Sequence, residues 1–281
     1  MPAKGSAESK GDVPNNGTPV RIPSKTIADG VAMPMLGLGV WKIPDGPETE
    51  QAVEWALEAG YRHIDTAAFY RNERSVGTAL ARSGIAREEL FVTTKWMPLG
   101  RGPREAIDRS LERLGLAAVD LYLIHFPLPG RIAAAWRAMA QILADGKARA
   151  IGVSNFSTKQ IVGLPGEHIP AVNQVHFSPA HYPASLLSWC TRQGVALEAY
   201  SSLDHGRAFG DSVVASIAAR VGRSEAQVLL RWAIQHEVIV IPKSTRRERI
   251  AENARIFDFV LSAEDMAALD SIGRGALRHA Q

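Results

Sequence analysis

Cysteine occurs once in this chain, at Cys190, and a single thiol excludes an intramolecular disulfide framework. That fits a reducing compartment, so a cytoplasmic location is expected. Cys190 closes the apolar stretch 186–190, where a buried structural thiol is expected rather than a nucleophile. Net charge is scarce as well: 32 Lys and Arg against 29 Asp and Glu leave a formal +3. Basic residues are scattered apart from Arg246, Arg247 and Arg249, which argues against the one-sided basic face of a nucleic-acid binder. No apolar run approaches the roughly 20 residues that span a bilayer. The N-terminus lacks the apolar core of a signal peptide. Residues 1–18 carry Gly, Pro, Ser, Asn and Lys with little to bury, so they are expected to form a disordered tail.

Several motifs are also incomplete or missing. Gly37-Leu38-Gly39-Val40 begins like a dinucleotide fingerprint but lacks the third glycine, so a Rossmann fold is not expected. There is no Gly-x-Ser-x-Gly elbow, because Ser154 is followed by Asn155 and Phe156. His176 and His181 fit neither a zincin pattern nor a facial triad, and no metal is expected.

What the chain does contain is alternation. At 281 residues and 46% hydrophobic it can bury a large core. Asp29-Gly30 supplies the positive φ angles of a tight hairpin turn between the runs around 26–28 and 31–33. Eight strand-like runs follow, near 35–40, 61–65, 90–95, 119–124, 148–152, 170–174, 195–199 and 237–241. Amphipathic windows near 48–59, 72–83, 103–114, 131–144, 157–163, 182–192, 224–235 and 246–254 separate and follow them. Two helical segments, 211–221 and 262–271, exceed the alternation. The expected fold is therefore α/β: one (β/α)8 TIM barrel over residues 19–281, with an N-terminal β-hairpin and two extra helices.

Four polar residues stand where apolar runs stop. Asp65 ends Tyr61-Arg62-His63-Ile64, Tyr70 follows it by five residues, Lys95 ends Leu90-Phe91-Val92-Thr93-Thr94, and His125 ends Val119–Ile124. In a parallel barrel those positions fall on the C-terminal rim, where active sites lie. A lysine at the inner end of an apolar strand is costly to bury unless an anion faces it, and Asp65 is the obvious partner. A Lys ammonium beside a phenol is expected to lower the Tyr70 pKa and make it a usable proton donor. His125 is placed to hydrogen-bond a substrate carbonyl.

Together, Asp65-Thr66-Ala67-x-x-Tyr70-x-Asn72-Glu73, the Thr93-Thr94-Lys95 strand and Leu123-Ile124-His125-Phe126-Pro127 closely resemble the aldo-keto reductase family. The likeness is greatest to short bacterial members similar to 2,5-diketo-D-gluconate reductases. It spans about residues 25–272 and implies a (β/α)8 barrel, an NADPH cofactor and the catalytic tetrad Asp65, Tyr70, Lys95 and His125. It further implies that Ser154, Asn155 and Gln174 clamp the nicotinamide carboxamide, and that Tyr200 stacks on the ring. Ser201, Ser202 and Leu203 match the loop over the pyrophosphate. Lys243, Ser244 and Arg249 match the site of the 2′-phosphate, Thr245 is a further cofactor-binding position, and Glu252 and Asn253 match the adenine contacts. Hydroxyls and cations gathered before a helix suit a phosphate on physical grounds too.

Trp41, Phe69, Trp96 and Phe126 follow strands or sit in rim loops and are expected to wall an apolar substrate pocket. Trp55, Trp136, Trp189 and Trp232 lie on helical stripes and are assigned to packing. Many family members have Trp where this chain has Phe126, and Leu-Trp where it has Trp96-Met97. The segment 203–211 and the tail after Ile272 are short, which implies an open site. The resemblance thus implies NADPH-dependent reduction of small aldehydes and ketones, including dicarbonyls or keto sugars, by a monomer. Two alternatives remain open at this point: an NADPH-binding sensor on the same scaffold, and a phosphate-substrate barrel enzyme with Lys95 as a Schiff-base former.

Overall fold

The computed structural model describes residues 20–278, with side chains through Gly273. The expected tail over 1–18, and residues 19 and 279–281 of the expected domain, lie outside the described residues. Strands β1 (Ser24–Ala28) and β2 (Val31–Pro34) form the hairpin around Asp29-Gly30. Gly30 sits at φ 67°, a conformation open to glycine without strain.

Eight parallel strands follow: β3 (Leu38–Gly39), β4 (His63–Asp65), β5 (Phe91–Trp96), β6 (Val119–Ile124), β7 (Ala148–Ser154), β8 (Val172–His176), β9 (Ala196–Tyr200) and β10 (Ile239–Val240). Each is hydrogen-bonded to the next in sequence. The circle closes where Leu36 pairs with Val240: Gly37 N–H donates to Val240 O at 2.9 Å, and Val240 N–H to Met35 O at 3.0 Å. The first and last barrel strands are thus shorter than their apolar runs suggest.

Helices α1 (Pro47–Glu58), α2 (Glu73–Arg82), α3 (Pro103–Leu114), α4 (Ile132–Ala144), α5 (Thr158–Val162) and α6 (Ala184–Gln193) alternate with the strands. The extra helix α7 (Ser212–Val221) precedes α8 (Glu225–Gln235); α9 (Arg247–Ala254) and the second extra helix α10 (Ala263–Arg278) complete the fold. Local chemistry sets these boundaries. Asp211 Oδ1 accepts the Val213 and Val214 N–H groups at the start of α7, and Ser224 with Gln227 forms a reciprocal capping box on α8.

Strand alternation divides side chains between barrel lumen and helix layer. The lower lumen is apolar: Phe91, Leu121, Leu123, Ala150, Val172, Ala196 and Ile239 cluster with Ile27, Val31 and Met33, so the hairpin plugs that end. The two glycines of the incomplete fingerprint serve this packing. A Cβ on Gly37 would meet His63 Nδ1 at 2.3 Å, and one on Gly39 would meet Ile241 O at 2.7 Å. Trp136 and Trp232 are fully buried between helices and barrel, and Trp55 and Trp189 pack against the same core, as their helical stripes suggest. Cys190 is buried there too, and burial pushes its thiol up to about 11, so it is an inert packing residue.

Candidate active site

Above the apolar plug the lumen turns polar. His63 and Asp65 alternate inward on β4, Thr93 and Lys95 on β5, Gln174 on β8 and Glu198 on β9, and all are buried. Burial on this scale requires internal partners. Lys95 Nζ donates to Asp65 Oδ1 at 2.5 Å, to Thr66 O at 3.0 Å and to the Tyr70 hydroxyl at 3.3 Å. Gln174 Nε2 donates to Asp65 Oδ2 at 2.8 Å and to Glu198 Oε2 at 2.7 Å. Beyond Glu198 lies His63, with Nε2 3.6 Å from Oε1. Tyr70 ends a single 3-10 turn (Ala68–Tyr70), and Arg71 after it takes the left-handed conformation. Asn72 fixes that turn from below: its amide donates to Val40 O and Ile43 O, and its Oδ1 accepts from Thr66.

Charge in this network follows from one ammonium shared between two carboxyls. Burial opposes the Lys95 charge most strongly, but Asp65, Tyr70 and Glu198 together outweigh it and lift its pKa to about 12. Burial raises both acids, and the charge on Asp65 raises Glu198 further. The ammonium touches Asp65, so Asp65 carries the negative charge. Glu198 keeps its proton and is pushed up to about 8. Burial and the nearby Lys95 charge hold His63 and His125 down near 3, so both imidazoles are neutral.

Tyr70 departs from expectation. Burial outweighs the Lys95 charge and, with the opposing influence of Asp65 and Glu198, leaves the phenol above its ordinary value. Tyr70 is therefore a fully protonated donor with a cation 3.3 Å away to receive the charge left after proton transfer. Its ring meets the His125 ring edge-on at 5.5 Å, and His125 Nδ1 has no hydrogen-bond partner.

A cavity of about 790 Å³ opens over this cluster. Asp65, Tyr70 and His125 line it, together with Ser154, Asn155, Gln174, Tyr200, Ser201, Ser202, Leu203, Lys243 and Arg249. Tyr200 donates to Asn155 Oδ1 at 2.7 Å, and Asn155 Nδ2 to Ser154 Oγ at 3.0 Å. Lys243 and Arg249 form no ion pair among the described residues. Ser244, Thr245, Glu252 and Asn253 do not line the cavity; Ser244 is buried and accepts the Arg246 N–H at 3.1 Å within its own turn. Six of the seven non-glycine residues at positive φ among the described residues follow barrel strands on this rim: Lys42, Arg71, Asn155, Ser201, Asp204 and His205. Strain concentrated there fits a functional face.

The pocket wall is partly as expected. Trp41, Phe69 and Phe126 line the cavity and are the exposed aromatics the sequence points to. Trp96 is a correction. It is 4% exposed, lies in the outer core and donates its indole N–H to Arg101 O at 2.8 Å. Period two explains it: Lys95 points into the lumen, so Trp96 must point out. Its neighbours Met97, Pro98 and Leu99 line the cavity instead, with Leu128 and Phe209. Sequence reading also missed Glu198 and His63. The signal was available, since an acid in the apolar run Ala196–Tyr200 raises the same question that Lys95 raised.

Residues 35–274 match the Aldo/keto reductase family. The chain is 46% identical over 251 residues to a glyoxal reductase from Bacillus subtilis, spanning 88% of this chain and 91% of that protein. An aldo/keto reductase from Brucella melitensis superposes with a TM-score of 0.86 at 41% identity, covering 90% of this chain and all of that one. An aldo-keto reductase from Bombyx mori, solved in complex with NADP, superposes with a TM-score of 0.83 at 37% identity and covers 90% and 93% of the two chains.

Proposed function

The chain belongs to the aldo/keto reductase family, and we propose that it reduces small aldehydes and ketones to alcohols with NADPH, using Tyr70 as general acid. The observation that carries this reading is the Tyr70–Lys95–Asp65 chain at the floor of the large cavity, with contacts of 3.3 and 2.5 Å.

The cofactor's fit is supported by two groups of cavity-lining residues. Ser154, Asn155 and Gln174 offer hydroxyl and amide groups matching a primary carboxamide, which needs donors and acceptors together. Tyr200 lines the cavity beside them and is backed by the His176 ring at 5.7 Å. Lys243 and Arg249, in no ion pair among the described residues, supply cations suited to a phosphate. When bound, the nicotinamide supplies a hydride.

This chain's residues supply the rest. The neutral His125 can donate one hydrogen bond to the carbonyl oxygen without adding charge, and so orients it. As charge gathers on that oxygen, the Tyr70 hydroxyl transfers its proton, giving the alcohol. Lys95 stabilises the resulting phenolate, while Asp65 and Gln174 hold the lysine and the amide in place. Trp41, Phe69, Leu99, Phe126, Leu128 and Phe209 give the substrate an apolar wall. Two-carbon and other small dicarbonyls are within range of this reading, because a similar protein is a glyoxal reductase.

The test is NADPH consumption with a panel of aldehydes, ketones and dicarbonyls, with NADH as control. Turnover with NADPH is expected for several small aldehydes. Binding of NADPH with no turnover of any carbonyl would favour a sensor role on the same scaffold.

A further inference from the structure

A second cluster of chemically capable groups lies on the rim outside the cavity lining. His176 ends β8, His181 follows in the loop before α6, and Asp204 comes from the segment after β9. The two imidazoles stack with centroids 4.0 Å apart and planes 23° from parallel. Stacking brings one nitrogen of each to the same oxygen. His176 Nε2 lies 3.5 Å from Asp204 Oδ1, and His181 Nδ1 lies 3.8 Å from it. All three donor atoms fall within 4.8 Å of one another.

The carboxylate oxygen is the informative atom. Asp204 is 5% exposed, and beyond their long 3.5 Å contact with each other neither its Oδ1 nor the buried His176 Nε2 completes a hydrogen bond. A buried carboxylate with an unsatisfied oxygen is costly unless something cationic occupies the space it faces. Two nitrogens and one oxygen already converge on that space. In a tetrahedral zinc site with bonds of roughly 2.0–2.2 Å, donor atoms stand roughly 3.3–3.6 Å apart. The observed pairs to Asp204 need close by only a few tenths of an ångström, whereas the imidazole nitrogens, within 4.8 Å, are brought together by turning the exposed His181 ring out of its stack.

We propose that His176, His181 and Asp204 form a binding site for one zinc ion, with solvent in the fourth position. The donor set decides the class of metal: two imidazoles with one carboxylate suit zinc and its borderline neighbours, whereas calcium and magnesium demand oxygen-rich shells. Spacing in the sequence hid the site, because Asp204 reaches it from a different strand end. The ion would tie the ends of β8 and β9 together and pin the segment 201–205, which holds three residues at positive φ and contributes Leu203 and His205 to the cavity wall.

None of the three ligands lines the cavity, so the site is testable apart from catalysis. The full-length protein, stripped with a chelator, is titrated with zinc chloride against a chromophoric zinc indicator and, separately, with cobalt chloride by visible absorption. One equivalent is expected to bind, with a cobalt spectrum of tetrahedral type. His181→Ala, at a half-exposed side chain, should weaken zinc more than ~10-fold, and Asp204→Asn should do the same. Zinc should also slow tryptic cleavage after the exposed Arg207 in the native chain but not in His181→Ala. Binding of no zinc, or equal affinity in both variants and the native chain, would overturn the site; cleavage unaffected by zinc would overturn the clamp.

Discussion

Replacing Lys95 by Met separates what the ammonium contributes to folding from what it contributes to chemistry. In the native chain Lys95 Nζ and Asp65 Oδ1 are 2.5 Å apart, with Lys95 fully buried and Asp65 1% exposed. At an effective dielectric of about 20 their attraction is about 7 kcal/mol. Desolvation of the two ions costs several kcal/mol each, so the pair as a whole contributes little net stability. Removing only the lysine is different. Asp65 would keep one hydrogen bond, from Gln174, and Thr66 O would lose its donor. The expected loss is about 3–5 kcal/mol, the usual cost of stranding one buried charge. In a chain of this size that lowers Tm by about 10 °C. Lys95→Met with Asp65→Asn should recover most of that loss while remaining inactive. The assay is urea unfolding followed by circular dichroism, with NADPH turnover measured on the same samples. A single variant destabilised by less than about 1 kcal/mol, or a double variant no more stable than the single, would refute the electrostatic account.

Other consequences follow from the same network. With His125 held near 3 and the Tyr70 phenol above its ordinary value, the reduction rate should be flat through neutral pH and fall only in the alkaline range; an inflection near 6.5 in kcat/KM would mean that His125 titrates. Glu198, pushed up to about 8, binds its proton more tightly folded than unfolded, so folding stability should fall as pH rises from its ordinary 4.5 toward 8. Glu198→Gln removes that dependence, and its stability relative to the native chain should grow by up to about 1.4 kcal/mol per pH unit across that window; a constant difference in urea unfolding would contradict it. Arg249→Ala should raise the Kd for NADPH by more than ~10-fold and leave NADH nearly unchanged, as read by fluorescence titration. Equal losses would remove the phosphate assignment.

The barrel was legible because strand and helix periods alternate cleanly and because glycines such as Gly115 and Gly194 close helices in the left-handed conformation. Its short closing strands were not, since pairing of Leu36 with Val240 is set by circular closure rather than by local pattern. The places of Asp65, Lys95 and His125 on the rim could be read from strand ends, and that of Tyr70 from its distance to Asp65. The direction of the Tyr70 shift could not, because it depends first on how deeply the phenol is buried and then on the balance of Lys95 against Asp65 in three dimensions. Trp96 was misread for want of the inside-outside parity that Lys95 already fixed. The meeting of His176 and His181 with Asp204 requires knowing that β8 and β9 are neighbours.

The proton donor is the center of this account, and Tyr70→Phe tests it most directly. Phe keeps the ring that packs against His125 and removes only the hydroxyl 3.3 Å from Lys95. NADPH affinity should stay within a few-fold of native, while single-turnover reduction of a reactive aldehyde falls by about 10²–10⁴. Reduction at the native rate, with cofactor binding intact, would show that the proton comes from elsewhere.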